Sequence, residues 1–313
     1  MIDGQPEVNP SPSTGLKTGA AWVDGRIIPI SKASIPINDW GLIHSDITYD
    51  VVPVWEGAFF RFELYLARFF RSMAALRLNP GIDQAGVANA LHDLVAATGL
   101  QKAYVAMVAT RGVNRVPGSR DPRDCHNRFF AWCVPYIHVI ALDIADTGAQ
   151  VHIASSVCRI SPNSVDPRIK NYHWGDFTKG LFEAKALGAE TVILLDADGH
   201  VTEGPGFNVF AVKDKRLVTP ERGVLHGISR QTVIEIAADL GLEVEIRDLP
   251  VSEFLQSDEV FITTSGGGVA PITRVDDHIF SNDAPGELTL ALHRAYFEWA
   301  ARPENRTPIT YPD

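Results

Sequence analysis

Two charged residues in this chain stand where chemistry on a small molecule is plausible from their neighbours alone. Lys170 lies in the run DPRIKNYHWGDF over 166–177, between a Ser-Pro-Asn-Ser-Val-Asp-Pro loop and a predicted helix over 174–188. Tyr172, Trp174 and Phe177 make its surroundings partly apolar. Removing water from an ammonium lowers its pKa and leaves an amine that is neutral, nucleophilic and basic. Taken alone, the stretch is explained better by a solvated lysine at a helix start. Glu203 is a lone carboxylate in VTEGPGFNVF over 201–210, set against a Gly-Pro-Gly turn and an apolar strand. A plain turn carboxylate accounts for it better when no other residue is considered.

Three further features suit an anion. Gly227-Ile228-Ser229 opens a predicted helix over 229–240. A helix N-terminus offers unpaired N–H groups and the positive end of the dipole, so Ile228 and Ser229 can hold a dianion. Thr264 and Ser265, ahead of three glycines, form a second cradle. Serine caps and glycine-rich turns are also ordinary structural devices. Arg68 sits in Tyr65-Leu66-Ala67-Arg68-Phe69-Phe70, where a cation requires an anion. A buried structural ion pair meets that requirement as well as a ligand does. The ten histidines include no H-x-x-x-H pair, so no metal site is indicated. The glycine clusters lack dinucleotide or P-loop spacing, and there is no G-x-S-x-G elbow.

The elements that must position these residues follow from pattern. Asp24-Gly25 and Glu56-Gly57 mark hairpins between strands over 20–23 and 26–28, and over 49–55 and 58–61. Apolar spacing predicts helices over 63–78 and 84–98. Strands over 102–110 and 129–134 flank a long polar loop, 111–128. Beyond a linker, strands are expected over 151–158, 191–195, 207–212, 216–218, 243–247 and 259–263, a tight loop over 264–268, and a last helix over 287–301. The expectation is an α+β chain: a flexible arm over 1–18, a smaller domain over 19–137, a linker over 138–150 and a larger domain over 151–313.

Bulk properties narrow the class. A chain of 313 residues, 45% hydrophobic and 21% charged, is long enough for two cores and is not disordered. A net charge of −10 argues against nucleic acid or an anionic membrane as main partner. Any bound phosphate must be held by a local site against a repulsive global field. Three unpaired-looking cysteines point to a reducing, cytoplasmic compartment, and the charges within the apolar run near 58–78 exclude a membrane span there.

Ile169-Lys170-Asn171 and Trp174-Gly175-Asp176, with Thr202-Glu203-Gly204 and Gly206-Phe207-Asn208, resemble the fold-type-IV pyridoxal-phosphate enzymes. That family includes branched-chain aminotransferases, D-amino-acid transaminases, aminodeoxychorismate lyase and the (R)-selective amine transaminases. The segment His44-Ser45-Asp46-Ile47-Thr48-Tyr49-Asp50-Val51 looks most like the last branch. The resemblance implies a two-domain fold with pyridoxal 5'-phosphate as cofactor. Lys170 would condense with its aldehyde, and Glu203 would pair with its ring nitrogen. Arg68, Ile228, Ser229, Thr264 and Ser265 would hold its phosphate, with Leu225 packed against the ring. His44, Tyr49, Val51, Tyr104 and Trp174 match substrate-pocket positions, and Arg120 matches a loop arginine that receives a ketoacid carboxylate. Ala106 and Tyr104 depart from the glutamate and phenylalanine of some fungal members, which leaves the pocket's size and polarity open. The implied activity is transfer of an amino group from a primary (R)-amine to pyruvate or a similar 2-oxo acid, by a homodimer with its sites near the interface. A D-amino-acid or branched-chain aminotransferase is the alternative, followed by a lyase or a cofactor-free scaffold on the same fold.

Overall fold

The computed structural model describes residues 16–139 and 144–312. The expected arm falls outside the described residues as far as position 15, and the expected linker does so at 140–143. The first sheet begins with the hairpin β1 (Ala20–Val23) and β2 (Arg26–Pro29). The short helix α1 (Trp40–Ile43) leads into β3 (Ile47–Trp55) and β4 (Ala58–Phe60). Helices α2 (Phe62–Ala75) and α3 (Gln84–Thr98) follow, then the long pair β5 (Ala103–Asn114) and β6 (Cys125–Pro135).

α2 is a helix because Phe62, Tyr65, Leu66, Phe69 and Met73 recur at three- and four-residue spacing, and all are buried. α3 starts where Asp83 accepts the Gly86 N–H at 2.8 Å and stops at Gly99, whose φ of 70° suits glycine. Both helices lie on one face of the sheet, against Val52, Val54 and Phe59. Each such side chain, fully buried, contributes roughly 1.5–3 kcal/mol.

The second sheet contains β7 (Ala149–Ile153), β8 (Thr191–Ile193), β9 (Glu203–Gly204), β10 (Phe207–Lys213), β11 (Arg216–Thr219), β12 (Val244–Ile246), β13 (Glu259–Thr264), β14 (Gly268–Val275) and β15 (His278–Ile279). The path runs β12-β11-β10-β13-β14-β7-β8, antiparallel from β11 to β14 and parallel at both ends. Helix α4 (Gly175–Ala186) packs beside β8, while α5 (Ile228–Asp239) and α6 (Glu287–Ala301) share a core with the stacked Phe210 and Phe261. The chain then returns: β16 (Arg306–Pro308) pairs with β4 and completes the order β16-β4-β3-β5-β6-β1-β2 of the first, antiparallel sheet. Arg61 ties the two halves by donating to Thr232 at 2.8 Å and pairing with Glu235.

Three stretches differ from expectation for visible reasons. The predicted 111–128 loop is shorter, over 115–124, because β5 and β6 continue past a bulge between Thr110 and Val113. Gly112 sits in that bulge with φ 77°, and a Cβ there would lie 1.8 Å from the His126 carbonyl oxygen. The predicted strand over 151–158 ends at Ile153, because Ser155 and Ser156 give their N–H and O–H groups to the Glu183 carboxylate. β14 was hidden by Gly268 and Pro271. Pairing with β7 begins only at Ile272, so Pro271 removes no ladder bond on that side.

Candidate active site

Lys170 is fixed by its own backbone before its side chain matters. Its carbonyl accepts the Thr48 hydroxyl at 2.6 Å and the Tyr49 N–H at 3.2 Å, which docks the loop onto β3 through a Thr48–Asn171 bridge. Its amine lies 4.6 Å from the centre of the Tyr49 ring, and that ring stacks on Tyr172 at 3.9 Å. Desolvation, helped by the nearby Arg68 charge and opposed by Asp50 and Glu203, brings the amine from 10.5 down to about 8. The lysine is therefore far closer to a neutral base than an exposed one.

Glu203 lines the same cavity from the opposite sheet. Burial is the largest influence and holds its pKa above the usual carboxylate range, against the opposing pull of Arg159, the Leu225 N–H and Lys170. Arg159 approaches one oxygen at 3.1 and 3.3 Å, while the Leu225 N–H (2.8 Å) and Asn208 amide (3.4 Å) reach the other. These contacts favour the ionised form and offset part of the effect of burial. Arg159 itself bridges to Asp176 at 2.6 Å and lies over Phe177, so its charge is matched within the core. Asn208 also donates to the Leu225 carbonyl at 2.8 Å, which locks the segment before α5 to Glu203.

The third part is an anion-sized corner. Ile228 and Ser229 form the first turn of α5, where N–H groups lack helical partners. The Thr264–Ser265 turn closes the corner from β13, with Thr264 donating to the Gly206 carbonyl at 2.8 Å. Arg68 enters from α2. Its Nε and Nη2 engage both oxygens of the fully buried Asp50 at 2.8 and 2.7 Å, and Nη1 reaches the His226 carbonyl at 3.2 Å. The two readings of Arg68 thus coincide: it makes a buried ion pair and still lines the cavity. Thr263 Oγ1, also in the lining, is buried without a hydrogen-bond partner.

Tyr49 and Trp174 line this cavity too, with Leu225 along one side. The other expected substrate residues lie beyond it. Val51 and Tyr104 continue the face that starts at Tyr49, in a cluster with Ala106, Val108 and Trp132. His44 is exposed, edge-on to Trp40 at 4.5 Å, and Arg120 is exposed on the tip between β5 and β6. Asp50, Arg159 and Asn208 were not singled out from sequence. The first two could have been suspected as charges inside apolar runs, but Asn208 carried no signal beyond its place in the motif. Asp196, Asp198 and His200 also gather ligand-type atoms within 4.8 Å, but Asp196 is occupied in capping the turn N–H groups of Asp198 and His200.

The chemistry of the lining fits pyridoxal 5'-phosphate. It offers a desolvated amine for an aldehyde, a buried and hydrogen-bonded carboxylate for a ring nitrogen, and a corner of N–H groups, hydroxyls and one guanidinium for a phosphate. Residues 48–275 match the model of the family described as amino-transferase class IV. The branched-chain-amino-acid aminotransferase of Pseudomonas aeruginosa is 26% identical over 288 residues, covering 90% of this chain and 93% of that protein. The D-alanine aminotransferase of Bacillus licheniformis is 26% identical over 273 residues, covering 85% and 92%. The solved T.th. branched-chain amino acid aminotransferase with pyridoxamine 5'-phosphate superposes with a TM-score of 0.86 at 25% identity, over 94% of this chain and 99% of that one. The chain belongs to the class IV aminotransferases, the fold-type-IV transaminases, whose cofactor is pyridoxal 5'-phosphate.

Proposed function

We propose that this aminotransferase takes its amino group from a primary (R)-amine and gives it to pyruvate or a similar 2-oxo acid. The bound cofactor supplies an aldehyde to carry the amino group and a ring that withdraws electrons from the reacting carbon. Lys170 would hold that aldehyde, and its Nζ, brought down to about 8 by burial, would be placed to take up and return a proton at the reacting carbon. Glu203 would pair with the protonated ring nitrogen, and the Arg159 guanidinium and the Leu225 N–H favour its charged form. Arg68, Ile228, Ser229, Thr264 and Ser265 would hold the phosphate, and Leu225 would pack on the ring.

One observation carries the donor assignment. Both guanidinium groups lining the cavity are already matched by buried carboxylates, Arg68 by Asp50 and Arg159 by Glu203 and Asp176. The face running from Tyr49 through Val51, Tyr104, Ala106 and Trp132 is aromatic and aliphatic. A neutral amine suits such a wall, whereas an amino-acid carboxylate wants a free cation or clustered donors. Arg120 is exposed and forms no ion pair among the described residues, so it is free to meet a ketoacid carboxylate from its loop tip or from a second subunit. The proposal includes a homodimer, supported by the apolar exposed side chains Ile37, Leu42 and Ile43 beside His44, and a reducing, cytoplasmic setting, supported by three unpaired cysteines. No helix among the described residues is long and apolar enough to cross a membrane.

The comparisons favour a second reading, a branched-chain or D-amino-acid aminotransferase, since the relatives reported above bear those names. A half-reaction separates the two. The yellow holoprotein is mixed in turn with (R)- and (S)-1-phenylethylamine, D-alanine and L-leucine, and the visible band is followed. Bleaching by the (R)-amine and not by its mirror image is the expected result. Bleaching by D-alanine or L-leucine alone makes the site an amino-acid site.

A further inference from the structure

Two buried tyrosines stand behind the anion corner, and the reaction as described gives neither a role. Tyr65, on α2, is fully buried, and its hydroxyl lies 2.7 Å from Ser265 Oγ. Tyr296, on α6, is 4% exposed, and its hydroxyl lies 2.9 Å from Ser229 Oγ. The two side chains come from distant parts of the chain and from helices that pack on different sheets, yet each ends on one of the two serines of the corner. A third phenol, Tyr136, donates to the Ser265 carbonyl at 2.8 Å and fixes that turn from outside.

Direction matters here. A serine hydroxyl has one proton and two acceptor positions. A phosphate dianion accepts only, so a serine whose proton is spent elsewhere is useless to it. A phenol is a stronger donor than an aliphatic alcohol, and its oxygen is a poorer acceptor because a lone pair is shared with the ring. Burial raises both phenols above their ordinary pKa, so each keeps its proton at any working pH. The favoured arrangement is therefore tyrosine donating to serine, with the serine proton turned towards the cavity.

We propose that Tyr65 and Tyr296 are positioning residues that accept no ligand contact themselves but fix the Ser265 and Ser229 hydroxyls as donors to the cofactor phosphate. The inference rests on the cavity holding that phosphate as set out above. Each tyrosine pre-orders a hydroxyl that would otherwise lose rotational freedom on binding, and the corner gains donors without gaining charge beyond Arg68.

The test is cofactor affinity, measured without turnover. Apoprotein of the wild type and of Tyr65→Phe and Tyr296→Phe is titrated with pyridoxal 5'-phosphate and, separately, with pyridoxal, following the visible band. Phenylalanine keeps the ring, its packing and the face that Tyr65 presents to Arg68. The dissociation constant for the phosphorylated ligand is expected to rise roughly fivefold to tenfold in each variant, with that for pyridoxal unchanged. In a Ser229→Ala background, Tyr296→Phe is expected to add no further loss. Equal weakening of both ligands, no weakening of either, or full additivity with Ser229→Ala overturns the relay. The tyrosines lie on different elements, so either variant alone carries the test if the other fails to fold. A wild type that shows no preference for the phosphorylated ligand overturns the phosphate corner itself, which is a different result from a preference that the variants leave untouched.

Discussion

An amine that titrates near pH 8 makes a specific demand on how this protein captures its cofactor. Lys170 is depressed from 10.5, so its ammonium form dominates below 8 and its neutral form above. At pH 7 about a tenth of it is neutral, far more than for an exposed lysine. The rate at which apoprotein captures pyridoxal 5'-phosphate should therefore climb with pH and level off just above 8, as read by stopped-flow absorbance. A rate still climbing above pH 10 would mean that the amine is solvated. At this scale the sequence was informative where one charge stands alone among apolar neighbours, as Lys170, Glu203 and Arg68 do. It was silent on who meets whom. Asp50 and Arg68 are 18 positions apart, and Arg159 and Glu203 are 44 apart, so these pairs exist only once β3, α2 and β9 are assembled.

Elements carry the site by their ends more than by their lengths. The predicted helices and hairpins stand close to where their apolar spacing and turn residues put them. The errors fall where backbone groups found unexpected partners: the bulge at Gly112, the Ser155–Ser156 pair on Glu183, and the proline in β14. The start of α5 is the junction to disturb. Gly227 caps it with an ordinary negative φ, but a Cβ there would lie 2.1 Å from Asn208 Oδ1. Asn208 in turn holds Glu203 and the Leu225 carbonyl. Gly227→Ala should cost about 1–3 kcal/mol of stability through overpacking. It should also weaken cofactor binding, because the carboxylate and the phosphate corner are displaced together. Thermal melting with and without cofactor checks this: the variant should melt lower and gain less from the cofactor than the wild type does.

Across the whole molecule, the chemistry is divided between two sheets and assembled at their contact. The lysine carbonyl is gripped by β3 of the first sheet, Glu203 belongs to β9 of the second, and Arg68 crosses from the first to reach the segment ahead of α5. That division was legible as two α+β units with distributed motifs, although the return of β16 to the first sheet was not, because three residues after a helix carry no pairing signal. The family follows from the match over 48–275, while the donor rests on the wall beyond Tyr49, and the relatives named here lean towards amino acids. Beneath both donor readings lies one claim, that Lys170 is the residue bonded to pyridoxal 5'-phosphate. Holoprotein reduced with borohydride, digested and analysed by mass spectrometry tests it directly. A phosphopyridoxyl group is expected on the peptide containing Lys170, and none on the Lys170→Ala variant treated alike. A label on another lysine, or an equally labelled variant, would contradict it.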